Sequence, residues 1–282
     1  MYFSKVVSAV VAVSGLCFAA ISANAADPFG PSFNGTNYTE NASQSHSWTG
    51  VYFGGGLGYQ IGTTDLDYHH TYRDKPDVKD ASSYGLSSDD WRYGLRLGFD
   101  YQPSGSPFVI GVFGGHDWGE SDFSAATHFD KKSTYGNKKK STYGDKSDEL
   151  FVNGRLEPTW YVGGRVGITP TSRSLVYVGY AYSKAKLDFP YIGVNHGWSK
   201  DLYEKGNKNT SVEGHTFLAG VELALSENLS AGLEYNYTKY DSLNFAVQLH
   251  EDPKKFASHF SVDPEVHSVM LRLNWRIKGV FQ

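Results

Sequence analysis

The sequence predicts an all-β fold, an eight-stranded antiparallel up-and-down transmembrane β-barrel. Three observations predict it: apolar and polar residues alternate with a period of two, long and short connections alternate along the chain, and aromatic residues cluster at both ends of one strand face. A period of two is typical of strands, whose side chains point alternately to opposite faces. Beyond residue 25 no apolar run approaches the roughly 20 residues of a membrane-spanning helix, which excludes a helical bundle.

The N-terminal region divides into two segments before the barrel. Lys5 is the only charge in residues 1–25, which contain an apolar core and a small-x-small cleavage site at Ala23-Asn-Ala25, so they predict a secretory signal peptide. Residues 26–47 are rich in Asn, Ser, Gly and Pro without any period, and we interpret them as a flexible periplasmic segment. Residues 48–282 form the predicted outer-membrane barrel.

The strands are assigned from the alternation and from the turn residues that bound it. In 91–101, for example, the odd positions are all aromatic or Leu, whereas the even positions are Arg, Gly or Asp. Segments 108–118 and 175–184 alternate less regularly but are rich in β-forming residues. The predicted strands are 50–62, 91–101, 108–118, 159–168, 175–184, 215–225, 229–239 and 266–277.

The connections between these strands contain 28, 6, 40, 6, 30, 3 and 26 residues. An outer-membrane barrel has short periplasmic turns and longer extracellular loops, whereas a soluble barrel has no reason to sort its loops this way. We therefore expect three short periplasmic turns and four long extracellular loops. Strands of about 10 residues also suit a tilted membrane crossing.

The aromatic residues on the predicted lipid face fall at two depths, as expected for girdles at the two membrane interfaces. Trp91, Trp118 and Trp160 lie at the outer strand ends, and Phe99, Tyr101, Phe108 and Trp275 lie at the inner ends. A soluble sandwich is the alternative fold, but it would bury these aromatics without separating them by depth.

The opposite face carries nine charged residues that predict a filled lumen. An eight-stranded barrel has an interior just wide enough for side chains to fill, so these charges should pair with one another. In particular, we expect Arg96, Arg165 and Arg272 to point toward Glu222 and Glu234. The predicted lumen charge network is Arg92, Arg96, Asp100, Asp117, Arg165, Glu222, Glu234, Arg272 and Arg276.

Four segments resemble the small opacity-protein-like and RopB-type outer-membrane barrels, a family that includes haemin-binding surface proteins. Ser47 to Tyr59 (SWTGVYFGGGLGY) is similar to their opening strand and Gly164 to Tyr177 (GRVGITPTSRSLVY) to their central hairpin, while 219–237 and 267–275 resemble their last three strands. The resemblance implies an outer-membrane location and contact with the membrane assembly machinery. Family members usually end on an aromatic residue, and here Phe281, one residue from the end, is the candidate for that assembly signal.

The connections contain the candidate ligand-contact residues, because loops usually carry the function of a barrel. The connection 63–90 has seven Asp against three basic residues and includes His69 and His70, which could coordinate haem or a metal. The segment 131–146 duplicates the unit KKSTYG and contains six Lys and one Asp. Its Lys131, Lys132, Lys138, Lys139 and Lys140 are candidate contacts for lipopolysaccharide or a host polyanion, or else a solvated loop.

Composition and motifs leave three function classes. The net charge of −4 gives no electrostatic case for nucleic acid, and no catalytic, metal-binding or nucleotide motif is present, so we expect no enzyme, no metal and no cofactor apart from haemin as a candidate ligand. The leading hypothesis is a non-enzymatic surface barrel that supports the envelope, contacts lipid and lipopolysaccharide, and presents loops to a host molecule. A narrow porin or haemin receptor is the alternative, and a barrel enzyme with catalytic residues at its outer rim is the third class.

Overall fold

The computed structural model describes residues 46–72, 75–129, 148–195, 206–248 and 256–277, and the described residues form eleven antiparallel β-strands. No helix in this part of the chain is long and apolar enough to cross a membrane. The strands are β1 Gly50–Tyr72, β2 Lys75–Tyr101, β3 Phe108–Trp118, β4 Ser121–Phe129, β5 Asp148–Leu156, β6 Thr159–Thr171, β7 Ser174–Asn195, β8 Gly206–Ala224, β9 Leu229–Tyr240, β10 Leu243–Gln248 and β11 Phe256–Ile277.

The strands close into an eight-stranded barrel, which confirms the predicted fold class. Neighbours along the chain pair in turn as β1–β2–β3–β6–β7–β8–β9–β11, and β11 pairs with β1 through a register in which Leu57 lies opposite Leu271. The short strands β4, β5 and β10 continue three of these crossings after two-residue breaks. The turn at 102–107 contains Gly105 with a φ of 71°, a conformation that favours glycine.

The strands extend much farther than the sequence pattern predicts. The connection 63–90 is almost entirely a hairpin, because β1 continues to Tyr72 and β2 begins at Lys75. The segments 121–129 and 148–156 pair with each other in the same way, so both described parts of the predicted 40-residue connection are largely strand. The reason is that the membrane pattern of apolar residues ends where the lipid ends, whereas backbone pairing does not depend on lipid and continues beyond it.

Beyond the membrane the barrel wall separates into two four-stranded sheets. One contains the outer parts of β2, β1 and β11 together with β10, and the other contains β4, β5 and the outer parts of β7 and β8. Within the described ranges no ladder joins β2 to β4 or β8 to β10. We call this part the extracellular section, and the fully paired barrel below it the membrane section.

Candidate functional site

The interior of the membrane section contains an upper arginine layer made of Arg92, Arg96, Arg272, Asp117 and Glu234. Arg96 donates two hydrogen bonds to the two oxygens of Glu234, at 2.6 and 2.8 Å, and Arg272 Nε donates a third at 2.8 Å. Arg92 Nε donates to Asp117 at 3.1 Å, and Arg272 Nη2 lies 3.7 Å from the same carboxylate. All five side chains are buried, so the layer is a connected ion-pair network with little access to water.

A lower arginine layer lies nearer the periplasmic turns and consists of Arg165, Arg276, Asp100 and Glu222. Arg165 donates two hydrogen bonds to Asp100, at 3.0 and 2.6 Å, and one to Glu222 at 3.1 Å. Arg276 donates to Asp100 at 2.9 Å. The other oxygen of Glu222 accepts hydrogen bonds from uncharged neighbours, so two cations face two fully partnered anions in this layer.

Aromatic rings fill the space between the two layers. The Arg165 guanidinium lies between the rings of Tyr52 and Tyr177, 4.8 and 4.7 Å from their centroids. The Arg96 guanidinium lies over the ring of Phe113 at 4.6 Å. Desolvated cation–π contacts of this kind stabilise a buried guanidinium by about 2 kcal/mol. Tyr177 also donates a hydrogen bond to Glu234 at 2.9 Å, which ties the aromatic layer to the ion pairs.

Inward glycines make room for these large side chains. A Cβ on Gly98 would collide with the ring of Tyr52, and a Cβ on Gly115 would collide with the Tyr161 hydroxyl. The alternation of Gly with Arg or Tyr on the interior face is therefore a packing requirement, since a lumen this narrow holds an extended guanidinium or phenol only where the neighbouring position lacks a side chain.

The segment just before β1 closes the periplasmic end of the lumen. Trp48 is fully buried, its backbone N–H donates to the side-chain oxygen of Gln102 at 3.1 Å, and Arg276 donates to the Trp48 carbonyl. The Arg276 guanidinium lies 5.3 Å from the Trp48 ring centroid. Two residues earlier, the His46 N–H donates to the Ser172 carbonyl at 3.1 Å. These contacts anchor the chain directly before the barrel.

The interior of the extracellular section is apolar instead of charged. Side chains from both sheets pack into one cluster, in which Leu187 and Phe189 of β7 face Leu66 of β1 and Val262 of β11. These four side chains have at most 1% of their surface exposed. The members of this extracellular core are Leu66, Phe123, Leu156, Ala185, Leu187, Phe189, Val212, Tyr240, Phe260, Val262 and Val266.

The lipid-facing exterior of the membrane section carries the residues predicted for the aromatic girdles. Trp91 and Trp160 are more than 60% exposed at the outer ends, and Tyr101, Phe108 and Trp275 are exposed at the inner ends. Trp118 is half-buried, because its ring stacks on that of Tyr93 at 5.7 Å. Above this belt the exterior becomes polar.

Salt bridges mark the exterior of the extracellular section. Arg155 donates to Asp122 at 2.7 Å and lies 3.3 Å from Glu120, and the hydrogen bond to Asp122 raises the pKa of the Arg155 guanidinium. Lys184 of β7 lies 3.5 Å from Glu213 of β8. In all three of these ion pairs, about half or more of each side chain is exposed, so the pairs belong to a solvated surface.

Three histidines lie on the exterior near the outer girdle. His116 stacks on Trp160 at 4.1 Å, whereas His215 and His267 are hydrogen-bonded through Nδ1 to the hydroxyls of Tyr180 and Tyr235, at 2.5 and 2.7 Å. Within the described residues no three His, Cys, Asp or Glu side chains are grouped as metal ligands. These histidines are interfacial aromatics with polar tips.

Of the candidate ligand-contact residues, the structure describes only the backbone of the two histidines. His69 and His70 lie in β1, and the backbone register puts His69 opposite His259 of β11, but their side chains lie outside the described part of the structure. The five candidate lysines, together with Phe281 and the predicted signal peptide, also lie outside the described residues.

Several functional residues of the interior were not predicted as such. The sequence predicts only that the barrel begins at Trp48. No pattern in the sequence indicates that the Trp48 ring turns into the lumen. Tyr52, Tyr161 and Tyr177 share the interior parity with the arginines, and this parity is the signal that could have identified them as part of the charged network.

An eight-stranded barrel with an apolar exterior belt and a charged, filled interior defines the class of small membrane-spanning β-barrels. The family described as outer membrane protein beta-barrel domain matches residues 9–264. The chain therefore belongs to this family, and its location is the bacterial outer membrane.

Solved structures with a similar fold share little sequence with this chain. The outer membrane protease OmpT from Escherichia coli is 9% identical with a TM-score of 0.47, covering 81% of this chain and 97% of OmpT. OprG from Pseudomonas aeruginosa is 10% identical with a TM-score of 0.44, covering 83% of this chain and 99% of OprG. Ail of Yersinia pestis is 13% identical with a TM-score of 0.35, covering 79% and 99%. No curated protein sequence gives a match.

Proposed function

We propose that this protein is a sealed, non-enzymatic outer-membrane barrel that supports the envelope and presents its extracellular section to the surroundings. The observation that carries the proposal is the continuous filling of the interior: Trp48 closes the periplasmic end, two arginine layers fill the middle and the extracellular core fills the outer half. A conducting pore needs a hydrated path, and a dry, apolar outer half opposes the entry of ions.

The pairing of the buried charges across the lumen supports a structural role. Four buried carboxylates each contact at least one of five buried arginines, and these contacts join strands that are far apart in sequence, such as Arg96 of β2 and Glu234 of β9. A network of this kind links opposite walls of the barrel. A porin does not require such links, because a wide channel hydrates its charges.

Planar-bilayer recording tests the sealed lumen. We expect no large, stable openings from the unmodified protein, and only small leaks from Glu222→Ala, which removes one of the two carboxylates that Arg165 contacts and leaves an unfilled space beside it. Glu213→Ala is the matched control, because it removes an exposed carboxylate from the same strand. Large openings in the unmodified protein would overturn the proposal in favour of a narrow porin.

The surface-presenting role is tested separately in cells. A strain that lacks the protein is complemented with the full chain or with a variant in which 130–147 is replaced by a short Gly-Ser linker. We expect both to restore resistance to detergent, because the barrel supports the envelope, and only the full chain to bind anionic lipopolysaccharide or host glycan, because the lysine-rich segment is the proposed contact. Loss of detergent resistance with the linker variant would contradict this division of roles.

Haemin or metal binding is the second candidate, supported by the register that places His69 directly opposite His259 on adjacent strands. Directly opposed residues of an antiparallel pair have Cβ atoms about 4.5–5.5 Å apart, a separation that suits two imidazoles on one metal ion. On haemin only one of the two could be an axial ligand, because axial ligands lie on opposite faces of the ring. Haemin titration of the purified barrel tests this candidate. Binding that is lost in His69→Ala and kept in His267→Ala would support it, and equal titration curves for both variants would oppose it.

A further inference from the structure

The two arginine layers differ in charge balance. The lower layer contains two arginines and two carboxylates, whereas the upper layer contains three arginines and only two carboxylates, Asp117 and Glu234. Arginine does not deprotonate in proteins. The upper layer therefore holds one positive charge in excess, in a place where the carboxylates and arginines are at least nine-tenths buried.

The next acidic residue on the interior face of β2, Asp90, does not neutralise this charge. Asp90 lies two residues before Arg92, but it is partly exposed and its Oδ1 accepts a hydrogen bond from the Trp91 N–H at 2.7 Å. Among the described residues, no ion pair joins Asp90 to an arginine of the layer. An uncompensated buried charge costs several kcal/mol, so a counter-charge from solution is favoured at this position.

A small cavity lies next to the excess charge. Arg92 and Arg96 line it together with the Asp117 carboxylate and four uncharged polar side chains, those of Tyr161, Ser183, Thr216 and Asn236. The Tyr161 hydroxyl already accepts from Arg96 Nε and donates to Asp117, so the other three are the ones available to a ligand. Its size suits one species about as large as a water molecule. A bulky oxyanion such as phosphate would not fit. A chloride ion is somewhat larger than water and fits once the flexible side chains of Arg92 and Arg96 shift slightly around it.

The polar groups around the cavity include hydrogen-bond donors that have no acceptor among their neighbours in the hydroxyl chain. The hydroxyls of Ser183, Thr216 and Thr238 form a chain with separations of 2.6 and 2.8 Å. Three hydroxyl hydrogens make only two bonds within this chain, so one remains for another acceptor. Elsewhere in the same layer, outside the cavity lining, Nη1 of Arg272 is buried without a hydrogen-bond acceptor. The layer thus has a surplus of donors as well as of positive charge.

We propose that the upper arginine layer binds one monovalent anion of halide size, chloride in physiological media, in the cavity beside Arg92 and Arg96. Water alone would satisfy the free donors but would leave the charge uncompensated. A chloride ion does both, because it accepts from the hydroxyl and amide donors and pairs with the surplus guanidinium.

Bromide is the probe for this site, because its anomalous X-ray scattering identifies it in crystals of the full-length barrel. The barrel is folded and crystallised in bromide, so that the anion does not have to cross the apolar outer half. We expect one bromide peak in the cavity of the unmodified protein. Two variants each supply the missing carboxylate: Asn236→Asp at the cavity wall, and Gln60→Glu, whose side chain would lie beside Arg92 Nη1, now 3.1 Å from the Gln60 oxygen. Either variant should abolish the peak, whereas Asn209→Asp on the exposed face of β8 should keep it.

Thermal unfolding in a zwitterionic detergent gives a second readout that does not need crystals. At constant ionic strength, replacing gluconate by chloride should raise the unfolding temperature of the unmodified protein and of Asn209→Asp, because a ligand that binds only the folded state stabilises it. Gln60→Glu and Asn236→Asp should show no chloride dependence. A cavity that holds only water in crystals of protein folded in bromide, or equal unfolding temperatures for protein folded in the two salts, would overturn the proposal.

Discussion

The membrane section and the extracellular section share five strands, β1, β2, β7, β8 and β11, but have opposite polarity. On β7 the inward positions are Tyr177 and Ser183 in the membrane section and become Leu187 and Phe189 beyond it, while the outward positions change from Val178 and Tyr180 to Lys184 and Lys186. The strand keeps its alternation throughout, but the apolar face moves from the outside to the inside. Whether lipid or water surrounds the barrel wall therefore determines which face of the strand is apolar. The backbone hydrogen bonds of the sheet are the same in both sections and do not determine it.

Because the exterior solvent differs, the two sections are held together by different forces. In the membrane section lipid already surrounds the apolar face, so the interior contributes through ion pairs and cation–π contacts. In the extracellular section the exterior is in water, and the interior contributes through the burial of apolar surface as in a soluble sandwich. Substitutions in the two sections should therefore change the free energy of unfolding by different amounts and for different physical reasons.

The largest effect is expected for Glu234→Ala, which removes the partner of two arginines and of the Tyr177 hydroxyl. Breaking a buried ion pair costs about 3–5 kcal/mol, because the remaining charge stays buried without compensation. Urea unfolding in lipid vesicles measures the change. Glu213→Ala is the control, since its carboxylate pairs with Lys184 on the exposed surface. A loss below about 1 kcal/mol for Glu234→Ala would show that the ion pairs do not stabilise the membrane section.

Matched leucines in the two sections test the contrast directly. Leu187→Ala should cost about 2–5 kcal/mol, because Leu187 is fully buried in the extracellular core and the substitution leaves a cavity. Leu97→Ala on the lipid face should cost only the transfer part, roughly 2 kcal/mol, because lipid fills the vacated space. The same urea unfolding measures both, and equal costs would contradict a packed core in the extracellular section.

The sequence predicts the membrane section better than the extracellular section for the same physical reason. In 91–101 the apolar face is continuous and the interior face carries Arg92 and Arg96, a contrast that lipid imposes on every lipid-facing position. Beyond the membrane the contrast is weaker, since water tolerates many exterior residues, and the segment 63–72 therefore resembles a loop although it is strand. The sequence predicts that Arg96, Arg165 and Arg272 point toward Glu222 and Glu234, and the structure has these contacts. It does not predict the further contact of Arg165 with Asp100, which depends on the three-dimensional register.

Leu97→Arg reverses the polarity of the lipid face and should cost about 2–4 kcal/mol, since a cation near the middle of the bilayer is poorly solvated. Leu97 is 61% exposed on this face. Lys186→Glu, which changes a charge on the exterior of the extracellular section, should have little effect. Folding yield in lipid vesicles compares the two variants. Equal yields would mean that the boundary between the sections is placed wrongly.

The smallest effect is expected for Lys184→Ala at the boundary of the two sections. Lys184 lies 3.5 Å from Glu213, a distance not far from that of the interior ion pairs, yet about half of each side chain is exposed to water. Exposed pairs contribute about 0–1 kcal/mol, because water screens the attraction and the long side chains lose conformational entropy. The effect should shrink further when salt is raised from 0.1 M to about 1 M, where the screening length is only about 3 Å. The Glu234→Ala effect should change little over the same range, because its ion pairs are buried. A salt-independent loss of more than about 2 kcal/mol for Lys184→Ala would place this pair with the interior network instead of the solvated exterior.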